Sequence, residues 1–119
     1  MANDRSPVDL PIRVERNGSW AATLLFKDEL GAPVDLAGVT FSGSVRPSAG
    51  SSTVYATFTF TVIDESGGQV LVSLLGSDFD EVPGTQEIVR LAHDAYAVKD
   101  GTPAVIFRGE TTLDPEVTP

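Results

Sequence analysis

Apolar residues recur along most of this chain with a period of two, the spacing of a strand that buries one face. In residues 53–62, Val54, Ala56, Phe58, Phe60 and Val62 fall on one side and threonines dominate the other. Threonine is β-branched, so it suits a strand while turning a hydroxyl outward. The same alternation places Trp20, Ala22, Leu24 and Phe26 on one face of a strand over about 19–26, and Val39, Phe41, Gly43 and Val45 on one face of about 39–46. Leu10, Ile12 and Val14 predict a first strand, Val70, Val72 and Leu74 another, and Val105, Phe107 and Leu113 a last one. Over 86–99 the apolar parity slips from Val89 and Leu91 to Tyr96 and Val98. That slip predicts one long strand bulged near His93-Asp94, or two short strands.

The connections carry turn chemistry. Asn17-Gly18 predicts a tight primed hairpin turn joining the first two strands, and 64–68 and 99–103 read as glycine-containing hairpin loops. One helical turn is expected over 78–82, with Ser77 as its cap, Asp80 in the third position and Pro83-Gly84 as its stop. Residues 48–53 read as a flexible serine-rich loop. About seven strands at spacings of roughly 10 to 15 residues predict an all-β fold, a single antiparallel two-sheet sandwich of immunoglobulin-like type. A small closed barrel is the rival. The expected division is an N-terminal arm over 1–8, the sandwich over 9–113 and a C-terminal arm over 114–119. A parallel α/β arrangement has no room for its crossover helices.

Composition narrows the function classes. The chain of 119 residues has the length of one domain and can bury a core without staples. It has no cysteine, which excludes disulfides, a thiol nucleophile and zinc–thiolate sites. A net charge of −9 is repelled by phosphate backbones and anionic lipid, so neither nucleic acid nor membrane is an expected partner. The N-terminus lacks the apolar run of a signal peptide, and synthesis in the cytosol is the expectation. Lys27-Asp28-Glu29-Leu30 spells a retention address that is read only at a free C-terminus. Here it opens a polar turn containing Gly31 and Pro33.

The candidate chemistry is thin. His93 and Asp94 are neighbours on a strand and point to opposite faces, and no serine lies in a Gly-x-Ser-x-Gly elbow, so His93 reads as an ordinary surface or loop histidine. Asp78, Asp80 and Glu81 lack the glycine and the later glutamate of a calcium loop and read as a solvated helix start. Asp28-Glu29 and Asp64-Glu65 are expected to keep their loops soluble. Gly67-Gly68 has no following lysine or helix and is not a phosphate loop. Trp20 reads as a core anchor. Tyr55 falls on the threonine face, where it reads either as a lone surface tyrosine or as an exposed aromatic that contacts a partner chain. No catalytic residue, metal ligand or cofactor is expected.

In order, the chain carries "FKDELGAPVDLAG", then "GSDFDEVPGT", then "YAVKDGTPAVIFRGETTLDPEVT". This order resembles the small β-sandwich domains of tailed-bacteriophage and prophage virion proteins, including the N-terminal domains of baseplate upper proteins and tail-fibre-associated proteins. Asp28, Gly31, Pro33, Val34, Asp35, Leu36 and Gly38 match the first segment, Asp78, Pro83 and Gly84 the second, and Asp100, Gly101, Gly109 and Val117-Thr118 the third. The chain departs after Gly84, where such domains place an aromatic-rich strand directly. The resemblance implies a non-enzymatic structural or assembly component of a virion, in tail, baseplate, neck or head decoration. Its implied partners are other virion proteins and copies of itself, as a homo-oligomer or docked on a ring. Pro7, Val8, Tyr55, Asp114, Pro115 and Val117 are the candidate partner contacts. The alternative is a carbohydrate- or receptor-binding module on the same fold, using Tyr55 or Tyr96.

Overall fold

The computed structural model describes residues 8–115. Two sheets pack face to face as a β-sandwich. The larger holds β1 (Val8–Asp9), β2 (Ile12–Glu15), β4 (Val39–Arg46), β5 (Ala56–Thr57), β8 (Val89–Lys99) and β9 (Thr102–Asp114). The smaller runs in the order β3 (Ser19–Leu25), β7 (Gln69–Leu75), β6 (Thr59–Asp64). Two separate sheets dispose of the closed barrel. Between them Ile12, Val14, Val45, Val72, Leu74, Phe79, Ala95, Phe107 and Leu113 form the buried core, and the inward parities expected for β3, β4 and β7 are those observed.

The first strand departs from the antiparallel scheme. It is split at Leu10-Pro11 into β1 and β2, and both pieces pair parallel to β9, with Val8 opposite Phe107 and Ile12 opposite Thr111. Proline has no N–H to offer the ladder, which is where the split falls. Val8, at the end of the expected N-terminal arm, is therefore already in the sheet, as is Asp114 of the expected C-terminal arm.

Asn17-Gly18 does not make a primed hairpin. The Gly18 N–H donates to the Glu15 carbonyl at 2.9 Å, but β2 belongs to the larger sheet and β3 to the smaller, so the turn carries the chain from one sheet to the other. Primed geometry occurs instead at Asp100-Gly101, where φ is 53° and 79° and Lys99 stands opposite Thr102. Of the two alternatives for 86–99, the single strand is observed. Its irregularity is on the partner side: Ala95 faces Phe107 and Tyr96 faces Val105, leaving Ile106 of β9 as the extra residue.

Residues 53–62 are not one strand. Ala56 pairs with Val45 in the larger sheet, Thr59 pairs with Ser73 in the smaller, and the chain crosses at Phe58. The Phe58 N–H donates to the Gly43 carbonyl at 3.0 Å, and a Cβ on Gly43 would come within 2.9 Å of the Phe58 ring. Glycine at 43 thus makes room for the crossing. Because both sheets face one core, the period-two pattern continues through the switch and cannot reveal it. Before Ala56 the chain is irregular, strand parity does not apply, and Tyr55 packs against the core rather than standing on the threonine face.

The helical turn is a 3₁₀ turn over Gly76–Phe79, two residues earlier than expected. Asp78, not Ser77, serves its start by accepting the Leu75 N–H at 3.1 Å. Arg16 donates to the Phe79 and Pro83 carbonyls at 3.1 and 3.2 Å, tying this turn to the β2–β3 connection.

Candidate functional site

Strand alternation and register sort the exposed side chains onto two outer faces of opposite character. On the smaller sheet two full cross-strand rows face outward, Ala21–Ser73–Thr59 and Thr23–Leu71–Thr61. Ser19, Leu25, Gln69, Leu75, Ile63 and Asp64, which stands opposite Gln69 after a bulge in β6, complete this face. Apart from Asp64 at its end, none of these side chains is charged, in a protein in which 21% of residues are. Leu25, Leu75 and Ile63 are 59%, 56% and 53% exposed. Among the described residues β3 and β6 each pair on one side only, so an unpaired strand edge flanks the face on both sides.

The larger sheet presents charge instead. Arg13, Arg46, Arg90 and Arg108, half of the chain's eight basic residues, lie on its outer face among acids. Arg13 grips Asp114 with two bonds of 2.7 Å, and the bonding to this carboxylate raises the arginine's pKa further above its ordinary value. Arg90 and Glu110 approach to 3.9 Å, and the Tyr96 hydroxyl donates to Asp94 at 3.2 Å. The negative charge of Asp94 and that hydrogen bond raise the Tyr96 pKa. Beside them Asp9, Arg46, Asp94 and Arg108 line an open concavity of about 350 Å³ under the 48–50 loop.

His93 is not a surface residue. It is 4% exposed on the inward face of β8, its Nδ1 2.6 Å from the Thr111 hydroxyl oxygen, with Phe58 and Phe107 edge-on at 5.7 and 5.8 Å. Burial pushes its pKa down, against smaller opposing effects of the Leu10 carbonyl, Asp94 and Asp9. Nε2 has no formed hydrogen bond among the described residues; the Leu10 carbonyl favours the charged ring without completing one. Asp94 points to the opposite face, as neighbours on a strand must. Sequence reasoning missed this residue's burial, although its parity with Leu91 and Ala95 was a usable signal.

The candidate partner contacts do not converge. Pro7 and Val117 lie outside the described residues. Val8 is 61% exposed beside Phe107, whereas Asp114 and the half-buried Pro115 lie at the far end of β9, roughly 20 Å away at ~3.3 Å per residue. Tyr55 is half-buried near Val45 on the opposite side of the sheet, its N–H donating to the Val45 carbonyl. The loop acids do more than hold water: Asp28 accepts the N–H groups of Leu30 and Ala32 at 2.9 and 3.0 Å, and Asp64 accepts that of Gly67 at 3.0 Å. Asp78, Asp80 and Glu81 are not gathered; among the described residues no three His, Cys, Asp or Glu could share a metal ion. Trp20 is half-buried and meets Phe58 edge-on at 6.3 Å, as a core anchor does.

Compared with known proteins, the chain matches no family model and no curated protein.

Proposed function

We propose that this protein is a non-enzymatic assembly component of a bacteriophage or prophage virion, working through contacts with other virion proteins and with copies of itself. The observation that carries the assembly reading is the outer face of the smaller sheet, uncharged apart from Asp64 at one end and set between two strand edges that are unpaired among the described residues. Interface cores differ from the rest of a protein surface chiefly in lacking charge, and an open edge can accept a strand from a neighbour. The virion placement is supported by the sequence resemblance. Its first segment, residues 26–38, crosses between the sheets as a tightly bonded connection: the Val34 N–H donates to Phe26 and the Leu36 N–H to Glu65, and Leu36 is 4% exposed in the core.

The carbohydrate-binding alternative draws less support. Stacking on a sugar requires an exposed ring face, and every aromatic side chain is buried or half-buried, with Tyr96 engaged by Asp94. Mass spectrometry of purified particles from the phage or prophage encoding the chain should detect it in stoichiometric amount. Particles that lack it would overturn the placement.

A further inference from the structure

We propose that the concavity on the outer face of the larger sheet is a carboxylate-binding site, in which Arg46 and Arg108 take one monoanionic carboxylate between them. The inference goes beyond the assembly reading and does not depend on it.

The site follows from how the other arginines are used. Among the described residues, Arg13 and Arg90 each have a carboxylate within 4.0 Å, and Arg16 is spent on two backbone carbonyls. Arg46 and Arg108 have no carboxylate so near, and both line the same concavity of about 350 Å³. Register gives the reason. Arg46 stands opposite Ala92 and Arg108 opposite Asp94. The neighbouring acids of β8 and β9 are engaged elsewhere: Asp94 accepts the Tyr96 hydroxyl at 3.2 Å, and Glu110, on the other side of Ala92, lies 3.9 Å from Arg90. Asp9 faces Arg108 from β1 but stays beyond 4.0 Å. Two guanidinium groups, each a planar fork of N–H donors that matches a carboxylate, are left without one.

The surroundings suit a small ligand. Ala92 and Gly109 line the hollow without filling it. The Ser51 N–H donates to the Ser48 carbonyl at 3.1 Å, and Arg46 Nη1 donates to the Ser51 carbonyl at 2.9 Å, so the half-buried Arg46 is held before any ligand arrives. A donor already in place loses less freedom on binding. The volume lies at the low end of the roughly 300–1,000 Å³ of small-ligand sites, room for a carboxylate and a few carbons. The rim sets the ligand's charge as well. Asp9 and Asp94 repel a dianion such as sulfate more strongly than a single carboxylate.

Proton–nitrogen correlation spectra of the whole chain, titrated with sodium acetate against sodium chloride at equal ionic strength, test this. Acetate should move the Ser48, Ala49 and Gly50 amides and the Arg46 and Arg108 Nε signals, saturating in the millimolar range, and chloride and sulfate should move them less. Arg46→Gln should weaken acetate binding about tenfold. Arg108→Gln should weaken it as much with the circular dichroism unchanged, and its exposed position makes it the second probe should the change at Arg46 disturb the 48–50 loop. N-acetylglycine and N-acetylglutamate α-amide present the same group as a chain end and as a side chain, so the tighter binder names the source for which the site is shaped. Three results would overturn the inference: acetate shifts no larger than those from chloride, acetate binding that Arg108→Gln leaves unchanged, or sulfate binding as tight as that of acetate.

Discussion

His93 packs edge-on against Phe58 and Phe107 with Nδ1 beside the Thr111 hydroxyl, in surroundings that disfavour a charged ring. Its pKa in the folded protein lies below the ordinary 6.5, chiefly through burial. The unfolded chain therefore binds the proton more readily, and stability must fall as acidity rises. The contribution is fully present above the unfolded pKa of about 6.5 and is progressively lost below it, down to the folded pKa. Urea denaturation between about pH 5.5 and 8 should show this decline, and His93→Gln, which cannot titrate, should flatten it.

Two elements fix the larger sheet, and each can be tested by one substitution. The β8–β9 hairpin depends on a two-residue turn with positive φ at both Asp100 and Gly101. Gly101→Val places a β-branched residue at φ 79° and should cost about 1–2 kcal/mol, whereas Asp100→Asn, tolerant of the same region, should stay within about 0.5 kcal/mol. The split first strand is held by its parallel pairing to β9 and by Ile12 and Val14, each 2% exposed. Ile12→Ala should lower stability by about 2–4 kcal/mol in thermal or urea unfolding, by lost transfer energy plus the cavity left behind.

At the scale of the molecule the two sheets are joined through Phe58. Its ring meets Trp20, Phe60, His93 and Phe107, and its backbone marks the step from β5 to β6. Phe58→Ala should cost about 3–5 kcal/mol, a large share of the ~5–15 kcal/mol that holds a domain folded. Both sheets should melt together in that variant, seen as coincident transitions by Trp20 fluorescence and far-ultraviolet circular dichroism. The same architecture segregates charge, placing four arginines and their acidic neighbours outside one sheet and only Asp64, at one end, outside the other.

By itself the sequence determined where most of the strands lie and which way β3, β4 and β7 face. Period-two alternation is a local property of the chain, so Trp20, Val45, Val72 and Phe107 could be assigned to the core, and the 64–68 and 99–103 loops to hairpins, from neighbouring residues alone. Which strand pairs with which was left to tertiary structure. The parallel pairing of β1 and β2 with β9 joins residues about a hundred positions apart, and the crossing at Phe58 leaves the apolar parity unchanged because both sheets face one core. Asn17-Gly18 announces a turn without saying whether the strands it joins belong to one sheet. The charge-poor face was invisible for the same reason: its residues come from three separate strands, and only their register sets Ala21 beside Ser73 and Ser73 beside Thr59.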